Sequence, residues 1–134
     1  MAIRFFLLQT QYDIIDFRLG NRPATILVRD FATEAESRAY EDGIDAIGDE
    51  YDRIDGLSVD GGKVCYTRRR DDPEADFGLT EAFVVEFGTP AEADAFCKGL
   101  GDSEGFAAPL LIDDSDDRFD QLQLWGCSPS SGER

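Results

Sequence analysis

The sequence contains no histidine. That excludes Ser-His-Asp and Cys-His catalysis, imidazole acid–base chemistry and every histidine-ligated metal. Lysine is nearly as scarce, with only Lys63 and Lys98, and the 13 Lys and Arg face 29 Asp and Glu, a net charge of −16. A surface so unbalanced lacks the basic footprint that holds a nucleic acid or an anionic membrane, so neither is expected as a direct partner. The one basic cluster, Arg68 to Arg70, is followed at once by "DDPEAD". It reads as a solvated strand end neutralised by its neighbours.

Cysteine is limited to Cys65, Cys97 and Cys127, with no C-x-x-C pair. Neither a disulfide framework nor a zinc knuckle follows from that spacing, and the three read as reduced thiols. Cys97 beside Lys98 has no base to activate it and reads as a surface or half-buried thiol. Long hydrophobic runs are missing as well: Phe5 to Leu8 ends at Gln9, too short for a signal-peptide core or a membrane span. The expected location is cytoplasmic. "DGGK" at Asp60 to Lys63 lacks the Walker spacing and reads as a hairpin turn, and no motif implies a cofactor.

What is present is enough for one core. With 134 residues, 42% hydrophobic content, ten Phe and four Tyr, the chain is expected to fold as a single domain over residues 1–127 without disulfide or metal staples. The polar residues 128–134 read as a disordered tail.

One phrase occurs twice. "FATEAESRAYEDGI" at Phe31 to Ile44 returns as "FGTPAEADAFCKGL" at Phe87 to Leu100. Phe31 matches Phe87, Thr33 matches Thr89, Ala35 matches Ala91, Glu36 matches Glu92, Ala39 matches Ala95 and Gly43 matches Gly99. T-x-x-E is a capping box, in which the Thr oxygen accepts from the N–H three residues on and the Glu reaches back. Pro90 occupies the first helical position, where its missing N–H costs nothing. Helices are therefore predicted from about residues 34 and 90.

The first carries Tyr40, Ile44, Ile47, Tyr51 and Ile54 on one stripe running to Gly56, and the second ends at "GDSEG". A glycine inside a helix costs about 1 kcal/mol, so its recurrence at equivalent places predicts close passage of a backbone at Gly43 and Gly99.

A strand precedes each helix, "ATILVRDF" at Ala24 to Phe31 and "EAFVVEF" at Glu81 to Phe87. "LSVDGGKVCYT" reads as a strand or hairpin, and "APLLI" and "DQLQLWGC" read as strands. The predicted fold is α+β and ferredoxin-like, with duplicated β-α-β units laying two helices on one face of an antiparallel sheet. Repeat one spans 24–67, repeat two spans 81–126, and "IRFFLLQT" and "YDIIDFRL" supply extra N-terminal strands within 3–19. An uncovered sheet face would make a homodimer.

The acids group in two places. Glu41, Asp45, Asp49 and Asp52 recur at helical spacing and would form a ridge beside the apolar stripe of the first helix, a ridge that costs stability because like charges at i, i+4 repel. Asp113, Asp114, Asp116 and Asp117 lie in "IDDSDDRFD". Asp113, Ser115 and Asp117 alternate as in a calcium loop, but Arg118 stands where the loop needs Gly and Leu124 where it needs Glu, so a solvated acidic loop is expected.

Sixteen net charges match roughly 27 Å of duplex DNA, and a chain of this size is about 36 Å across. The charge per length is comparable to that of DNA. The functional expectation is a non-enzymatic acidic protein that binds the basic surface of a nucleic-acid-handling protein and blocks it, in the manner of phage or plasmid counter-defence inhibitors. Those eight acids are its candidate contact residues.

Two other readings remain open. Two Lys against eleven Arg and nineteen Asp also fits adaptation to concentrated salt. A ligand-binding or enzymatic pocket at a dimer interface would draw on Tyr12, Tyr66 or Trp125.

Overall fold

The computed structural model describes residues 3–47, 52–70 and 79–126. Their order is β1 (Ile3–Leu8), α1 (Gln11–Arg18), β2 (Leu27–Phe31), α2 (Glu34–Ala46), β3 (Asp52–Asp60), β4 (Lys63–Arg70), β5 (Leu79–Glu86), α3 (Pro90–Ser103), β6 (Leu110–Ile112) and α4 (Phe119–Gly126). The class is α+β. The described strands form two three-stranded antiparallel sheets, ordered β2-β1-β6 and β3-β4-β5, where the expectation was one sheet carrying both helices.

The two sheets are wired alike. Each central strand pairs with the next strand in sequence, β1 with β2 and β4 with β5. Each also pairs with the strand that leaves the other half's helix: β6 follows α3 but lies on β1, and β3 follows α2 but lies on β4.

Alternation along β1 explains why "FFLL" is apolar throughout. Phe5 and Leu7 join Val64 and Tyr66 of β4 in a core with Tyr40, Ile44, Phe96 and Leu100. Phe6 and Leu8 point the other way, into a second core with Ile14, Phe17, Ile112 and Leu122. A strand buried on both faces reads as a continuous hydrophobic run.

That second core corrects two expectations. "YDIIDFRL" is helix α1, not a strand: Thr10 caps it by accepting from the Asp13 N–H at 3.2 Å, and Ile14 and Phe17, three apart, turn inward. "DQLQLWGC" is likewise helical through Gly126 as α4, with Asp116 accepting from the Arg118 N–H at 2.8 Å ahead of its first turn. Phe119, Leu122 and Trp125 recur every three residues and face that core, whereas the alternation of Leu122 and Leu124 misleads because Leu124 is exposed.

The repeated phrase behaves as its chemistry demands at the helix starts. Thr33 accepts from the Glu36 N–H and Thr89 from the Glu92 N–H, each at 3.2 Å. The Glu carboxylates differ from the expected box by accepting from the Thr hydroxyls themselves, at 2.9 and 2.8 Å. The two helices then cross at the two glycines. A Cβ on Gly43 would lie 2.2 Å from the Phe96 carbonyl oxygen, and one on Gly99 would lie 2.3 Å from that of Tyr40. Tyr40 and Phe96 are equivalent positions of the phrase, so the crossing is reciprocal, as at a two-fold interface.

Three further expectations shift. Helix α2 ends at Ala46, where Ile47 is already extended; Tyr51 of the stripe lies outside the described residues, and Ile54 belongs to β3. Helix α3 runs through part of "GDSEG" to Ser103. Arg68 is packed rather than solvated: its guanidinium donates to the Ala46 carbonyl at 3.0 Å and to Glu81 at 2.9 Å, over the Phe83 ring. A cation on the last carbonyl of α2 also suits the helix dipole. "DDPEAD" and residues 128–134 lie outside the described residues.

Candidate protein-binding surface

The early end of α2 breaks the proposed ridge. Glu41 and Asp45 remain on the helix, Asp52 opens β3, and Asp49 lies outside the described residues. A run of four acids on one helical face is therefore replaced by two.

Tertiary structure supplies a third acid instead. The pairing of β6 with β1 ends at Ile112, and the chain turns at Asp113 close enough to α2 for the two groups of acids to interact. The Glu41 carboxyl is held above its ordinary range, first by partial burial and then by Asp113, Asp45 and Asp42, with Arg38 acting the other way. Asp113 moves down, because the Ser115 hydroxyl and N–H both donate to it. It stays ionised and presses on Glu41.

Asp114 and Asp117 are exposed in the same turn, and Asp116 is half-buried beneath the Arg118 N–H. Arg118 itself leans over the Phe17 ring, 3.9 Å from its centroid, and donates to the Phe17 carbonyl at 2.7 Å. The turn is thereby fastened to α1. The face so assembled joins Glu41, Asp42, Asp45 and Asp113, and of these Asp42 had no place in the ridge.

The sign of the Glu41 shift gives a prediction. A carboxyl raised above its unfolded value favours folding below that value, and the contribution is lost as pH rises through the folded pKa. At neutral pH the ionised group therefore works against the fold. Glu41→Gln is expected to stabilise by about 0.5 kcal/mol at pH 7, given that the site is mostly solvent-screened. Urea unfolding should show this gain shrinking as pH falls through the carboxylate range; a loss at pH 7 would contradict it.

Elsewhere the polar groups are structural in kind. Asp102, in the last turn of α3, accepts from Arg29 Nε and Nη2 at 2.8 and 3.0 Å and from the Tyr40 hydroxyl at 2.6 Å, while Gln9 holds its carbonyl at 2.9 Å. Nothing in the sequence pairs these four, which come from β2, α2, α3 and the end of β1. A cleft of about 220 Å³ opens between Phe31, Glu36, Ala91, Asp94, Ala95 and Lys98.

Tyr66 is buried and stacked on Phe83, Tyr12 is exposed, and Trp125 is half-buried with its carbonyl accepting from Arg22. The Cys97 thiol is half-buried and pushed up by burial and by Asp94, away from the thiolate that reactivity requires.

Among the described residues no group of three or more acids and thiols is arranged to hold a metal ion, and no helix is long and apolar enough to cross a membrane. Comparison with protein-family models, with curated proteins and with solved structures found no match.

Proposed function

We propose that the protein is a non-enzymatic acidic module that binds the basic surface of another protein, through the face that α2 and the β6–α4 turn make together. The observation that carries this reading is the meeting of Glu41, Asp42 and Asp45 with Asp113. Partial burial first, and then these acids, hold the Glu41 carboxyl above its ordinary range, and a cationic partner offsets the part that the acids contribute. The finer reading is nucleic-acid mimicry: a net charge of −16 on a body of this size is comparable in charge per length to duplex DNA. A nucleic-acid-binding protein is then the partner, and blocking its site is the effect. The duplicated β-α-β origin belongs to the same proposal, with the two halves serving as scaffold.

Charge reversal tests it. Proteins captured from the source cell on the immobilised chain are to be assayed for DNA binding with and without the chain, and with a Glu41→Lys, Asp45→Lys, Asp113→Lys variant. Affinity is expected to fall on the order of 100-fold in the variant, with inhibition of DNA binding lost alongside it. Asp94→Lys, outside the face, is the control. Equal binding by the triple variant at physiological salt would sink the proposal.

The composition favours one other reading. Two Lys against nineteen Asp is the pattern of a surface suited to concentrated salt, and a melting temperature that collapses in dilute buffer would support it over mimicry.

A further inference from the structure

Strand β3 is an edge strand: β4 lies on one side and, among the described residues, no strand lies on the other. It is also nine residues long, where its counterpart β6 has three. Native edges of that length are ordinarily blunted by charge, bulge or cover. The first half of β3 is blunted in this way. A bulge falls between Ile54 and Gly56, and the Glu104 carboxylate takes the Ile54 N–H at 2.8 Å.

The second half has neither device. Gly56 to Val59 is an uncharged run in a chain with 31% charged residues. Leu57 and Val59 stand opposite buried Tyr66 and Val64, so they lie on the apolar face of the sheet, yet they are 48% and 44% exposed. The apolar face therefore overhangs its helical cover at this edge.

We propose that this edge is a self-association surface, with a second copy of the chain pairing antiparallel along Gly56 to Asp60 about a two-fold axis at Ser58. In that register Leu57 of each copy faces Val59 of the other on the same side of the sheet, which buries both apolar pairs. Each Asp60 faces a glycine, so no carboxylate opposes another. A basic peptide is the poorer occupant, because no acid lies between Asp55 and Asp60 to receive it. The β3-β4-β5 sheets of the two copies then form one sheet of six strands, an isologous contact. So small an interface is weak and forms in a concentration-dependent way.

Salt separates this surface from the acidic one. Each copy carries −16, so screening favours the dimer, whereas it weakens attachment of a basic partner to the acidic face. Failure of either proposal leaves the other standing.

Sedimentation equilibrium of the full chain is expected to show the mass rising with concentration from 14.9 kDa toward double, more readily in molar NaCl than in dilute buffer. Leu57→Glu/Val59→Glu, which sets carboxylates face to face, should remain monomeric at every concentration while keeping the folded chain's circular dichroism. As a second measurement, Ser58→Cys combined with Cys65→Ser, Cys97→Ser and Cys127→Ser should oxidise to a disulfide-linked dimer, since directly opposed Cα atoms about 4.5–5.5 Å apart suit the bond. Cys65 is removed because it is the cross-strand neighbour of Ser58. Constant monomer mass in both salts, a dimer that survives the double Glu variant, or cross-linking no better than an exposed Tyr12→Cys control would each overturn the proposal.

Discussion

Alanine at Gly99 is expected to cost the fold about 3 kcal/mol, whereas alanine at Gly101 in the same helix is expected to stabilise it by up to about 1 kcal/mol. Both are glycines in α3, and both gain the same helix propensity from a methyl group. Space decides between them. At Gly101 nothing lies within 4 Å of the added atom, while at Gly99 it would meet the Tyr40 carbonyl oxygen at 2.3 Å and the Ile44 nitrogen at 2.8 Å. Those are backbone atoms, which give way only if α2 and α3 move apart, and Tyr40, Ile44, Phe96 and Leu100 then lose packing on both sides of the crossing.

Gly43→Ala is expected to behave as Gly99→Ala does, because it meets the Phe96 carbonyl oxygen at 2.2 Å. The double substitution should cost less than the two single costs together, since one separation of the helices accommodates both methyls. Urea unfolding midpoints measure all four variants. If Gly99→Ala matched Gly101→Ala, the helices would not be in contact at the glycines.

That crossing is the part of the fold most legible in the sequence. A repeated capping box marks the two helix starts, and a glycine repeated at one place in each helix has few physical causes besides close approach. The ends of the elements were less legible. Ile47 and Ile54 continue the apolar spacing of α2 because one is buried at the helix end and the other packs from β3, so a 3.6-residue period is imitated by two unrelated elements. In α1, adjacent Ile14 and Ile15 suggest a strand, and the capping Thr10 outweighs them. The acidic face was half legible. Glu41 and Asp45 share a helix at a visible spacing, but Asp113 reaches them only through the β1–β6 pairing, which no local pattern announces.

Removing the Asp102 carboxylate is the second large effect, expected to cost about 3 kcal/mol as Asp102→Ala. The Arg29 and Asp102 side chains are only 24% and 13% exposed, and the carboxylate is the shared acceptor for Arg29 and for the buried Tyr40 hydroxyl. Without it the guanidinium keeps the Val28 carbonyl, at 3.2 Å, and the Tyr40 oxygen as neutral partners but loses its counter-charge, and a buried hydroxyl loses its acceptor.

Tyr40→Phe removes a hydroxyl rather than a charge and should cost about 1 kcal/mol at pH 7. Its distinguishing effect comes at high pH. Burial, then the hydrogen bond to Asp102, raises the Tyr40 pKa well above the ordinary phenol value of 10.0. A raised folded pKa gives a contribution that is intact below the unfolded value and is lost as pH rises toward the folded one. Stability should therefore fall from about pH 10 upward, by as much as about 1.4 kcal/mol per pH unit from this one group. Tyr40→Phe should flatten that fall although it is the less stable protein at neutral pH. Urea unfolding across the alkaline range would show the two curves converging. Parallel curves would mean that Tyr40 ionises as freely in the folded chain as in the unfolded one, and that the Asp102 network does not hold its proton.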